Sequence, residues 1–212
     1  MIKALVRLFP IFSLIMGAAS ILGMATILIV GLPSIQLYQI DPEPGLSAPT
    51  TQQARGREVY VSLGCVYCHS QQPRDASVGP DGARGWGRPS TPGDYVYDYP
   101  HQLGTMRTGP DLFNIGARQP SAQWHLVHVY NPRAVVDWSI MPSYPFLFEV
   151  KPEPEPGDLV VDVAAPFAPE SGVVVAKPDA VALVDYLVGL DHTYPSAYLP
   201  RPEEDVDVDG GQ

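Results

Sequence analysis

Hydrophobic side chains are spread very unevenly along this chain. From Leu8 to Ile40 no side chain carries a charge, and residues 8–32 form a strongly apolar run. As an α-helix the run would extend about 37 Å at about 1.5 Å per residue, enough to cross a hydrocarbon core of about 30 Å with some tilt. Pro10 is expected in the first turn and Pro33 just past the end, positions where proline costs little. The pattern predicts a transmembrane helix. A cleaved signal peptide competes, because Lys3 and Arg7 form a basic start and Gly17, Ala18, Ala19 and Ser20 are small. Against it, the apolar run continues through Ile21, Leu22, Ile27, Leu28, Ile29 and Val30 with no cleavage site followed by polar chain. The first charges after the run are Asp41 and Glu43, so the basic N-terminus is expected on the cytoplasmic side and everything after Pro33 outside. Ala19 and Gly23, four apart, would let another membrane helix approach closely.

Beyond the anchor, helical patterning returns in short stretches. Residues 54–63 read as a helix with Gly56 and Tyr60 one turn apart. Residues 179–190 read as a second, with Val181, Leu183, Val184, Tyr186, Leu187 and Val188 mostly apolar, Pro178 and Asp179 at its start and Gly189 near its end. A third opens near Ser121 and carries His125 and His128. The expected organisation is 1–40, cytoplasmic start and anchor; 41–53, linker; 54–192, an all-α domain; and 193–212, an acidic tail with Glu203, Glu204, Asp205, Asp207 and Asp209. Two proline- and glycine-rich insertions, about 71–106 and 151–177, are expected as loops. The first holds Trp86, Tyr95, Tyr97 and Tyr99, candidates for either contact surface or core.

Composition narrows the function. A chain of 212 residues has room for one ordinary domain plus appendages, and 24 prolines with 19 glycines leave little regular structure outside a compact core. Such a core benefits from a bound group to pack around. A formal net charge of -10 lacks the basic footprint that nucleic acid requires and suits basic partners instead.

The two cysteines, Cys65 and Cys68, are followed at once by His69 in Gly64-Cys65-Val66-Tyr67-Cys68-His69. This C-x-x-C-H spacing is the c-type haem attachment pattern. Thiols about one helical turn apart reach two vinyl groups on one porphyrin edge, and the next imidazole projects over the iron. A zinc site would need further paired Cys or His, and no second C-x-x-C exists. A thioredoxin-like pair would want a βαβ setting, and a plain disulfide leaves His69 unexplained.

An electron carrier normally closes the sixth coordination position with Met or His. The candidates are Met106, Met141, His101, His125 and His128. Met141 is favoured: in Ser139-Ile140-Met141-Pro142 the proline stiffens a loop that can hold the thioether at the haem. Met106 falls in a turn near the proximal side, beside Arg107 and Gly109-Pro110.

Three segments in order resemble class I cytochromes c: Cys65 to His69; Arg107-Thr108-Gly109-Pro110-Asp111-Leu112; and Asn131-Pro132-Arg133 followed by Met141-Pro142-Ser143-Tyr144-Pro145. More closely they resemble the mono-haem subunit of cbb3-type cytochrome c oxidases. The resemblance covers about residues 55–148 plus the anchor. It implies a class I cytochrome c fold with long Gly/Pro-rich loops and one covalent haem c. By the same resemblance the Pro110 carbonyl orients the ring of His69, Arg107 and Arg133 lie near the propionates, and the terminal helices cross at Gly56 and Tyr60 against Leu183 and Tyr186. The implied role is an electron-transfer subunit without a catalytic site of its own. Its partners would be a donor cytochrome, a haem-copper catalytic subunit, other cytochrome c subunits and the lipid of a bacterial inner membrane, with the haem domain periplasmic. A free membrane-tethered carrier and the small subunit of a nitric oxide reductase-like complex are the alternatives.

Overall fold

The computed structural model describes residues 2–199, with side chains from residue 10 onward. The acidic residues 203–209 and the side chains of Lys3 and Arg7 therefore lie outside the described residues. The chain divides after Pro42 into two units.

The first unit is helical: α1 (Ile2–Thr26), a π turn (Ile27–Gly31) and α2 (Leu32–Leu37). Residues 10–37 are long and apolar enough to span a membrane. Both prolines sit differently from expectation. Pro10 is inside α1, and Pro33 belongs to the first turn of α2 instead of following the helix. Proline has no N–H to give the carbonyl four residues back, and the widened π turn directly before Pro33 absorbs that defect without ending the span.

In the second unit the chain terminates its first helix and begins its last with recognisable local signals. Helix α3 (Thr51–Ser62) starts three residues earlier than predicted because Thr50 and Gln53 form a capping box. Gln53 N donates to Thr50 Oγ1 at 3.1 Å and Thr50 N donates to Gln53 Oε1 at 2.9 Å. Two short helices follow, α4 (Ile115–Arg118) and α5 (Ala122–Tyr130), the latter capped by Ser121 Oγ accepting from Trp124 N. Helix α6 (Pro178–Gly189) opens on a proline in its first turn. The crossing of α3 and α6 depends on Gly56, where a Cβ would lie 1.9 Å from the Ala182 carbonyl oxygen and 2.7 Å from Tyr186 Cβ. Tyr60 packs its ring on Tyr186 at 5.7 Å between centroids, and Leu183 joins the same core.

The all-α expectation is wrong. A three-stranded antiparallel sheet is formed by β1 (Phe148–Lys151), β2 (Val160–Val161) and β3 (Val173–Ala176), with β3 central. Phe148 pairs with Ala176 and Lys151 with Val173, while Val160 and Val161 pair with Val175 and Val174. The insertion read as a proline-rich loop thus supplies two of the three strands, with irregular chain between them. The cause is local: runs of β-branched valine are bounded by Gly157 and Gly172, both with positive φ. Phe148, Val161 and Val174 face the core that α5 and α6 also cover.

The insertion 71–106 has little regular structure but is pinned by buried charge. Asp81 and Asp94 are fully buried as side chains and ion-paired, and Trp86 and Tyr95 are buried with them, leaving Tyr97 and Tyr99 exposed.

Candidate haem site

The site begins where α3 ends. Gly64 adopts φ +73, which only glycine takes without strain, and turns the chain into a 3-10 turn over Cys65–Tyr67. Cys68 N and His69 N both donate to the Cys65 carbonyl, at 3.1 and 2.9 Å. Both thiols are free. Burial pushes the Cys65 thiol up to about 11, the opposite of the activated thiolate that redox or nucleophilic cysteines require. Among the described residues no group of three or more His, Cys, Asp or Glu side chains converges as a metal cage.

His69 is half-buried, and its Nδ1 lies 2.8 Å from the Pro110 carbonyl oxygen. That contact makes Nδ1 the donor and leaves Nε2 bare with its lone pair. Burial lowers the imidazole's pKa; the Pro110 carbonyl works against that shift and the charge of Arg118 adds to it, so the ring is held neutral. Gly109 lets the backbone pass directly beside the ring: a Cβ there would fall 2.1 Å from His69 Cε1. Tyr60 OH, deep in the α3–α6 crossing, donates to the His69 carbonyl.

The other predicted residues are spread around this centre. Met141 is half-buried in a loop whose return is fixed by Tyr144 N donating to Val129 O of α5 at 3.0 Å. The Tyr144 hydroxyl is pushed up by burial and then by Cys65 and Cys68, and Tyr144 and Cys65 pack against the same core. Met106 is 49% exposed. His125 is buried with Nε2 against the Gln119 carbonyl at 2.8 Å, and His101 is exposed against the edges of Tyr95 and Tyr99. His128 stacks on Trp124 at 4.7 Å. Burial, with His69 and His125 nearby, lowers its pKa to about 4.

The arginines take different places in the fold. Arg107 is drawn into a buried cluster, bonding Asp81 at 2.8 Å and Asp111 at 3.2 Å. Arg133 lies exposed on a 3-10 turn. Arg118, which sequence reasoning missed, closes α4 with its guanidinium half-buried. Nη2 donates to the Asp111 carbonyl at 3.2 Å, and among the described residues no carboxylate pairs with it. Burial accordingly lowers its pKa. Nothing in the local sequence separates Arg118 from any other arginine at a helix end.

Three buried side-chain atoms among the described residues lack hydrogen-bond partners: Arg107 Nε, Arg118 Nη1 and His128 Nδ1. Arg118 is close enough to His69 for its charge to be felt there, and the pKa of His128 is lowered by its nearness to His69. Two free thiols, a neutral imidazole with a bare Nε2, and buried donors lacking an acceptor suit a haem with anionic side groups.

Together with the N-terminal span, this is the layout of an anchored mono-haem cytochrome subunit. A family described as cytochrome c oxidase, mono-heme subunit/FixO, matches residues 6–162, and the chain belongs to that family. The match runs from the anchor through Cys65, His69, Pro110 and Met141 to β2. Compared one by one with curated proteins, the chain finds no match.

Proposed function

We propose that Cys65 and Cys68 carry one covalent haem c through thioether links, with His69 Nε2 and the Met141 thioether as axial ligands. The chain then serves as the electron-transferring subunit of a cbb3-type oxidase, taking electrons from a donor cytochrome and passing them toward the haem-copper subunit. The N-terminus is cytoplasmic and the haem domain periplasmic in a bacterial inner membrane. The observation that carries this reading is the 2.8 Å approach of His69 Nδ1 to the Pro110 carbonyl, immediately after the cysteine pair.

When bound, the haem supplies a reversible one-electron iron couple. The protein's own residues set its terms. The Pro110 carbonyl fixes the tautomer of His69 and raises its basicity. Met141, less exposed than Met106 and on the loop whose Tyr144 packs against the same core as Cys65, is the better source of the thioether. Arg107 and Arg118 each have an unfilled buried donor, but Arg107 already faces two carboxylates and Arg133 is exposed, so Arg118 is the better partner for a propionate. The bare backbone of Gly109 lets the ring sit flush against the chain.

Purification of the native complex in mild detergent tests the assignment. The chain should co-elute with haem b and copper, whereas elution with haem c alone would mark a free carrier. Met141→Ala should abolish the long-wavelength Met-to-ferric-iron band, and persistence of that band would exclude Met141 as ligand.

A further inference from the structure

The insertion 71–106 contributes a carboxylate to the support of the proximal histidine. Asp81 has no exposed side-chain surface. It accepts from Arg74 N at 2.9 Å, Arg74 Nε at 2.9 Å and Arg74 Nη2 at 2.7 Å, and from Arg107 Nη2 at 2.8 Å. Arg107 passes the connection onward. Its Nη1 reaches Ser70 Oγ and lies 3.2 Å from Asp111 Oδ2, and its Nη2 donates to the Gln72 carbonyl at 2.9 Å. Asp111 in turn accepts from Gln72 N and Phe113 N, both at 2.9 Å. Backbone bonds from Gly109 N to Cys68 O and from Leu112 N to Ser70 O, each 3.0 Å, complete a lacing of residues 68–72 to 107–113. His69 and Pro110 lie at the middle of that lacing.

We propose that Asp81 is a positioning residue for the proximal haem ligand: through Arg74 and Arg107 it clamps the two segments whose separation sets the His69 Nδ1–H···O=C Pro110 hydrogen bond. The inference rests on the assignment of His69 as axial ligand. A shorter, firmer bond at Nδ1 makes the imidazole a stronger electron donor and favours ferric iron; a looser one favours ferrous iron. The ion cluster is therefore a determinant of haem potential as well as of loop stability.

Redox titration of haem c in the purified complex, on wild type, Asp81→Asn and Arg74→Gln, separates this from alternatives. Asp81→Asn should raise the midpoint potential, but loss of a buried negative charge would also raise it. Arg74→Gln divides the two effects, because loss of a positive charge alone lowers the potential whereas a loosened clamp raises it. The expected result is a rise in both variants, with wild-type haem content. A fall or no change in Arg74→Gln overturns the proposal, as does an unchanged potential in a folded Asp81→Asn. If Asp81→Asn does not mature with haem, Arg74→Gln alone decides. Absence of covalent haem from the wild-type chain would instead refute the assignment of His69 beneath it.

Discussion

His69 Nδ1 lies 2.8 Å from the carbonyl oxygen of Pro110, forty-one residues further along the chain. The contact exists because Gly109 has no side chain: a Cβ at that position would occupy the volume of the imidazole, 2.1 Å from Cε1 and 2.6 Å from Nε2. Gly109→Ala must push the ring away or part the two segments. Haem content per chain, measured by pyridine haemochrome on the purified complex, is expected to drop severalfold. Full haem loading with an unchanged potential would show that the approach of residue 109 is not needed.

The crossing of α3 and α6 makes a similar demand at Gly56. Alanine there would gain up to about 1 kcal/mol of helix propensity. It would also force its Cβ to within 1.9 Å of the Ala182 carbonyl oxygen, an overpacking that costs about 1–3 kcal/mol in a filled core. The thermal midpoint of Gly56→Ala is expected several degrees below wild type, and Gly56→Val lower still. Equal midpoints would mean that the helices separate at little cost.

Acid should loosen the end of the domain that holds Glu43. Burial by itself would raise this carboxyl, but hydrogen bonds from Ser196, Thr91 and the Ala197 N–H outweigh it and the net pKa lies below the ordinary value. Asp94 behaves likewise: burial is outweighed by the Arg88 guanidinium and Thr91 N, and it too lies low. A carboxyl whose folded pKa is depressed contributes stability above the unfolded pKa of about 4 and loses it as pH falls through the folded value. Denaturation midpoints should therefore be flat from about pH 7 to 5 and fall below about pH 4. Asp94→Asn should lower the plateau and flatten the acid limb, and a parallel curve would contradict the assignment.

Arg118 is half-buried with Nη1 unpaired and no carboxylate partner among the described residues. If it faces an anionic haem substituent, Arg118→Gln removes a cation from beside the iron and stabilises the ferric form. The midpoint potential of haem c should fall, as read by optical redox titration. An unmoved potential would place Arg118 away from the haem.

A pattern of fixed local spacing is the most legible part of the site. The C-x-x-C-H run of Cys65, Cys68 and His69 is read from adjacent residues alone, and the contact that the resemblance implies between the Pro110 carbonyl and His69 is present in the fold. Helix α6 was displaced by one residue, whereas the start of α3 was missed although Thr50 and Gln53 carry the three-residue spacing of a capping box. The sheet was not legible because its valine runs in 151–177 are short and set among prolines and acidic residues, and the third strand, Phe148–Lys151, lies almost wholly before that segment. The ion pairs of Arg107 were not legible for a deeper reason. Its position is set by Asp81, 26 residues away across an irregular loop, and no periodic pattern announces such a pairing. Arg118 was invisible because what distinguishes it is a buried Nη1 without a partner, a property of the folded chain alone.

Everything assigned to the site depends on a porphyrin bonded to Cys65 and Cys68. Intact-mass measurement of the denatured, acid-acetone-washed chain, alongside a Cys65→Ala/Cys68→Ala variant, tests this most directly. The wild-type chain should be heavier than its polypeptide by one haem and stain for haem-linked peroxidase activity, with both signals absent from the double variant. A wild-type mass equal to that of the bare polypeptide would contradict the account.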